Sequence, residues 1–299
     1  DMGKTMYPGA GIDYIHRRVG RDEVYFLSNQ HAAAKTINAR FRVSGKVPEL
    51  WFPDTGEICA LKATQSKGEH TEVALQLGPD EAYFVVFRDP SDSTAVKPVP
   101  WSKQELQIAD LSSDWNLSFS NGGSASMAQL RSWTNLDEDR LKYHSGTATY
   151  QKTFSLSKEQ LAKADETFVD LGQVDVIAAV RVNGKRCGIA WKAPYRVNVR
   201  DALKPGKNQI EVTVANLWVN RIIGDQRFRD DHVWTTDTGS TARGKGLKVI
   251  PDWVINKTER PVKERKTFYA WQWPHIKDSK PLLSSGMLGP VKLMVRLEK

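Results

Sequence analysis

Ten tryptophans punctuate this 299-residue sequence; eight lie beyond residue 105, and five of those fall between Trp218 and Trp273. An indole either fills a core or offers a ligand a flat apolar face with one polar edge. A pyranose ring has an apolar C–H face that stacks on such a plate, and its hydroxyls need a few well-placed donors and acceptors nearby. Trp115 and Trp133 stand in strand-like or pre-strand contexts, which favours the core. Trp191, Trp218, Trp271 and Trp273 stand at strand ends or in loops, where binding residues concentrate, and His275 shares the last of these loops. Around Trp218 the run Asn216-Leu217-Trp218-Val219-Asn220-Arg221 adds Asn216, Asn220 and Arg221, rigid groups able to make paired hydrogen bonds. Read as a strand, the run puts Asn216, Trp218 and Asn220 on one face. A strand edge followed by an Asx-rich turn is the competing reading.

Sets of residues that could carry out catalysis are missing. Glycoside hydrolysis needs two carboxylates flanking the scissile bond on rigid elements. Glu211 lies in an alternating strand as an outward residue, and Glu259, Glu264 and Glu298 sit among lysines and arginines, as surface ion pairs do. Asp230-Asp231-His232 are three consecutive residues, which cannot all face one metal ion. There is no HExxH, GxSxG, P-loop or Cys-His pairing, and the six histidines are scattered singly. Cys59 and Cys187, far apart in sequence, read as two small thiols rather than a disulfide framework.

The elements that would hold these residues are almost all of period two. Glu23–Leu27, Ala39–Val43 and Glu72–Leu77 alternate as half-buried strands do, whereas Ala82–Phe87 is an unbroken apolar run that predicts burial on both faces. Gly45 and Pro53-Asp54-Thr55-Gly56 supply turns between them. The polar stretch Asp89 to Ser102, with its prolines and serines, reads as a linker ending near residue 105. Beyond it Trp115–Phe119, Tyr150–Phe154, Thr167–Leu171, Ala178–Val182 and Gln209–Val214 form a second strand set, with Asn183-Gly184 as its strongest hairpin signal. Ser157 to Ala164 is the one helical stretch, with Ser157 and Gln160 spaced as a capping box. The expected class is all-β, in two antiparallel β-sandwiches divided as 1–105 and 106–299.

Charge is unevenly divided. Residues 1–105 hold 13 basic and 14 acidic side chains, and the remainder hold 30 and 21, which gives −1 and +9 and sums to the formal +8. The basic residues are dispersed among strands with no helix-turn-helix, RRM or zinc-finger pattern, so they read as solvated surface and not as a nucleic-acid site. No stretch approaches the roughly 20 apolar residues of a membrane span. The N-terminal DMGKTMYPGAG lacks the apolar core of a signal peptide, which leaves open both a removed signal and a start inside a longer chain.

Particular segments carry a family resemblance. SGTATYQKTF, LGQVDVIAAVRVNGKRCGIAWKAPYRVNV and LKPGKNQIEVTVANLWVNR, spanning Ser145 to Asn220 and on to Arg221, resemble the sugar-binding domain of family 2 glycoside hydrolases. The shared features are the hairpin Val182-Asn183-Gly184, Gly188, the step Pro194-Tyr195, and the turn Pro205 to Asn208. Across residues 12–295 the pieces YIHRR, VYFLSN, ELWFPDTGEI, YFVVF, WTNLDEDRLKYHSGTATY, NLWVNRIIGD, IPDW and SGMLGPVKL resemble the C-terminal region of family 106 α-L-rhamnosidases. One departure is that Leu282-Leu283 precede Ser284-Ser285-Gly286, where family 2 enzymes usually carry a Trp-Arg pair.

The resemblance implies that the second sandwich is a galactose-binding-like jelly roll and that the parent protein is periplasmic or extracellular. Both families place their catalytic glutamates in a (β/α)₈ barrel, which alone takes about 250 residues and is absent here. The expectation is a non-catalytic region that requires no cofactor, tolerates a structural calcium ion, and has a glycan and the missing barrel as its partners. The competing expectations are an independent carbohydrate-binding protein and a small hydrolase with a site around Asp225 to His232. Trp191, Asn216, Trp218, Asn220, Arg221, Trp271, Trp273 and His275 are the expected points of contact with sugar or barrel.

Overall fold

The computed structural model describes residues 11–93, 95, 97–102, 104–162, 166–233, 247–267 and 281–297. The fold is mostly β, built from antiparallel sheets, and it divides into two compact units whose main boundary falls between Leu106 and Gln107. Trp271, Trp273 and His275 lie outside the described residues.

In the first unit a six-stranded sheet runs in the order Ile12–Val19, Asp22–Asn29, Ala82–Arg88, Val47–Phe52, Glu57–Ala60, Lys97–Pro98. A three-stranded sheet, Lys35–Phe41, His70–Leu77, Ala63–Lys67, contributes to the same core. Alternation decides which side chains enter it. Tyr25, Leu27, Leu50, Tyr83, Val85 and Phe87 from one sheet meet Phe41, Val73, Leu75 and Leu77 from the other. Tyr25 sits edge-on to Phe41 at 4.8 Å, and Phe41 lies 5.0 Å from Phe87. The segment read as a linker is laid onto this unit. Lys97–Pro98 pairs with Cys59–Ala60, Val99 and Trp101 pack against the core, and Ser93 Oγ donates to Glu49 at 2.7 Å. Polarity alone made that segment resemble a tether; its few apolar residues are the ones that anchor it.

The second unit is built on a six-stranded sheet, Ser124–Gln129, Ser113–Phe119, Thr147–Leu156, Gly206–Ala215, Ile177–Val182, Lys185–Ala190. A four-stranded sheet (Gln104–Asp110, Lys292–Leu297, Glu166–Asp170, Arg196–Asn198) and a short pair (Gln173–Asp175 with Gly286–Gly289) complete the strand set. Trp115, Trp133, Tyr150, Val169, Val212 and Val214 are buried in its core. At Asn183-Gly184 both residues have positive φ, 50° and 80°, the geometry a two-residue hairpin turn demands, and Val182 pairs with Lys185. Asn208, buried, closes the following turn by donating to the carbonyls of Lys204 at 2.7 Å and Gly206 at 2.9 Å. The short helix Lys158–Ala162 carries the expected capping box, with Ser157 N–H donating to Gln160 Oε1 and Gln160 N–H to Ser157 Oγ.

Candidate functional site

A cleft of about 1050 Å³ lies in the second unit, lined by four separate stretches: Ser120 and Asn121, then parts of Asp139–Thr147, Ala215–Phe228 and Glu264–Thr267. Its wall is positioned by the helix Val219–Asp225, which begins where the strand Gly206–Ala215 ends. The strand reading of Asn216 to Asn220 is therefore corrected: the chain turns into helix after Leu217, so Trp218 and the two asparagines do not share a strand face. Gly224 lets this helix approach closely, because a methyl group there would lie 2.7 Å from Tyr143 Cβ. Trp218 stands at the N-terminal end of the helix with 67% of its surface exposed, and it lines the cleft. It is not core.

The two asparagines serve a different purpose from the one expected. Asn216 Nδ2 donates to His144 O at 2.8 Å and Ser285 Oγ at 3.1 Å, while its Oδ1 accepts from Gly146 N–H at 3.0 Å. Asn220, 2% exposed, donates to Leu283 O at 2.6 Å and accepts from Leu283 N–H at 2.8 Å. Both side chains are occupied in fastening the loop Leu282–Gly286 to the sheet end. Ser285 is the hub the sequence did not reveal, since its N–H also donates to Ser132 Oγ at 3.0 Å and its carbonyl accepts from Trp133 N–H at 3.0 Å. Next to it, Gly286 has φ +102°, and a methyl group there would fall 2.4 Å from Trp133 Nε1 and 2.5 Å from Tyr150 Oη. The Ser-Gly step thus has a packing explanation: Trp133 Nε1 and Met287 N–H both donate to Tyr150 Oη, at 2.6 and 2.9 Å.

Arg221 lines the cleft and is held by buried Asp225, with N···O at 2.6 Å one helical turn away. The other Asp225 oxygen accepts from the backbone N–H groups of Lys266 and Thr267 at 2.8 and 2.7 Å. Arg227 pairs with Asp139 at 2.7 Å and lies over the Tyr143 ring at 4.9 Å. These lining residues, together with Arg140 and Lys266, come from stretches tens to more than a hundred residues apart, and no local pattern could have grouped them. His144 also lines the cleft; burial lowers its pKa, and Nε2 sits 3.2 Å from Thr147 O, an acceptor that requires the proton on that nitrogen.

Trp191 is 54% exposed, with Lys192 Nζ 5.6 Å from its ring centre, but it does not line this cleft. Of the expected contact residues, the structure brings Asn216, Trp218 and Arg221 to one cavity, sets Asn220 behind them, and leaves Trp191 elsewhere. The aspartates near the cleft are taken by cations. Asp231 accepts two hydrogen bonds from Arg260, at 2.6 and 2.9 Å, and lies 2.9 Å from His232 Nδ1; the guanidinium holds its carboxyl well below the usual range. Asp230 pairs with Arg265 at 2.6 Å. Among the described residues no group of three His, Cys, Asp or Glu side chains gathers as metal ligands, and no helix is long and apolar enough to cross a membrane.

Two family models match the chain: that of glycoside hydrolase family 106, alpha-L-rhamnosidase, over residues 1–65, and the glycosyl hydrolase 2 galactose-binding domain-like model over residues 132–275. A Formosa agariphila protein carrying the name beta-glucuronidase is 41% identical over 276 residues, which is 88% of this chain and 22% of that protein. The solved structure of a rhamnosidase from Novosphingobium sp. PP1Y is similar with a TM-score of 0.73 and 34% identity, covering 96% of this chain and 24% of that one. The chain spans less than a quarter of the length of either relative. It carries a family 106 α-L-rhamnosidase region and, after it, a family 2 galactose-binding-like domain.

Proposed function

We propose that this chain is a non-catalytic, carbohydrate-associated region of a larger α-L-rhamnosidase-like glycoside hydrolase, and that its cleft lines or supports the substrate site. The observation that carries this reading is the cleft itself. An exposed indole, Trp218, stands beside a guanidinium fixed in place by a buried carboxylate, which suits a sugar's apolar face and its hydroxyls. Asp225, Asp230 and Asp231 are each bound to an arginine, and Asp225 also to two backbone amides, so these carboxylates are not free to serve as a nucleophile and acid pair. No cofactor is required by such a role.

Titration calorimetry of the chain with rhamnose- and glucuronate-containing oligosaccharides, beside the Trp218→Ala variant, tests it. Binding that is lost in the variant supports the reading, and binding indifferent to Trp218 sinks it. An independent carbohydrate-binding protein is the second reading, favoured by the fact that every residue lining the cleft belongs to one unit. Tight glycan binding by this chain alone would select it.

A further inference from the structure

The outward face of the first unit's six-stranded sheet carries an apolar row where a solvated antiparallel sheet is polar. Strand register places Ile15 opposite Phe26, Phe26 opposite Phe84, Phe84 opposite Trp51, and Trp51 opposite Ile58. These five side chains make one row across five adjacent strands, on the face opposite the core residues Tyr25, Leu27, Leu50, Tyr83 and Val85. Ile15, on the edge strand, is 54% exposed, and the other four are partly exposed. The next row, Arg17, Val24, Val86, Glu49 and Ala60, is partly covered by the chain near Ser93 and Ala95, both of which donate to Glu49. The unbroken run Ala82–Phe87 is the sequence trace of this second apolar face.

We infer that this row is a docking surface for another domain of the same larger polypeptide, one that presents an apolar face in return. The inference rests on the part of the proposed function that makes this chain a region of a larger hydrolase. Three observations select that occupant. Four of the five residues lie within the stretch that matches the rhamnosidase family model, and most of the similar rhamnosidase lies outside its match to this chain. The row contains no charged group, and its one polar hydrogen, Trp51 Nε1–H, is already donated to Glu49 at 2.7 Å. A sugar would need polar partners beside the stacked ring, whereas a permanent protein contact is dry and apolar at its centre.

Hydroxyl-radical footprinting of the chain alone and of the full-length natural polypeptide tests this. Phe26, Trp51 and Phe84 should label readily in the chain alone and about fivefold less in the longer polypeptide, as side chains at the centre of an interface do. Ile15→Asp in the longer polypeptide should restore part of the labelling; its position on an exposed edge leaves the fold intact. Equal labelling in both proteins overturns the inference, and so does a natural polypeptide no longer than this chain. Protection already present in the chain alone, with sedimentation as a dimer that Ile15→Asp dissociates, would assign the face to a second copy. Protection that appears only with phosphatidylcholine vesicles would assign it to a membrane surface. Sugar binding at Trp218 is measured separately, so either conclusion can fail without the other.

Discussion

Trp218 and Asn220 are two positions apart and have opposite roles, which their variants should expose. Trp218→Ala removes an indole that is 67% exposed, so stability should change by no more than about 0.5 kcal/mol while glycan binding weakens. Asn220→Ala leaves the amide and carbonyl of Leu283 without their side-chain partner, and should cost roughly 1–3 kcal/mol in a urea melt. The buried Trp133→Ala should cost about 3–5 kcal/mol, the usual consequence of emptying a large core site. Asp231 gives a pH signature. Arg260 depresses its pKa in the folded state, so the stability it contributes is complete above its unfolded value of about 4 and is lost as pH falls below that. Asp231→Asn should therefore be destabilised at pH 7, and its deficit relative to the native chain should shrink in melts taken from pH 5 down to pH 3.

At the scale of elements, the turns and the loop at the sheet end set the geometry. Asn183-Gly184 specifies its hairpin because both residues tolerate positive φ, and the register of Ile177–Val182 against Lys185–Ala190 follows from it. The loop Leu282–Gly286 is fixed instead by long-range bonds from Asn216, Asn220 and Ser132. Gly286 is the tight point of this loop. Gly286→Ala combines a positive φ with a methyl group driven against Trp133 and Tyr150, and thermal melts should show one of the largest losses of any glycine substitution in the unit. A melting temperature within a degree or two of the parent would contradict this account of the Ser-Gly step. The helix Val219–Asp225 shows why period-two reasoning failed locally. Asn216-Leu217-Trp218 alternates well enough to pass for strand, but the Arg221–Asp225 pair and the close packing on Tyr143 favour helix.

For the molecule as a whole, the expected outcome is no measurable hydrolysis of aryl rhamnosides, galactosides or glucosides by this chain. Asp139 on the cleft wall and Asp225, Asp230 and Asp231 beyond it are each engaged by a cation, and the further lining carboxylate Glu264 cannot by itself divide acid and base roles. Turnover that disappears in Asp225→Asn or Asp231→Asn would refute this directly. The two units also differ in what they offer a partner. The first has an apolar row without charged groups, and the second has a cleft with an indole among charged side chains.

The sequence by itself determined the all-β class, most of the strands, the Asn183-Gly184 hairpin and the capping box at Ser157, because these depend on side-chain period and on φ preferences that act within a few residues. It also separated buried Trp115 and Trp133 from exposed Trp191 and Trp218, since strand context tracks burial. Only the tertiary structure decided what Asn216 and Asn220 bond to, that Tyr143, Arg227 and Lys266 join Trp218 around one cleft, and that Ile15, Phe26, Phe84, Trp51 and Ile58 align in one row. Each of these depends on partners tens to more than a hundred residues away. Strand order and loop closure bring such partners together, and neither is written in the alternation of any single segment.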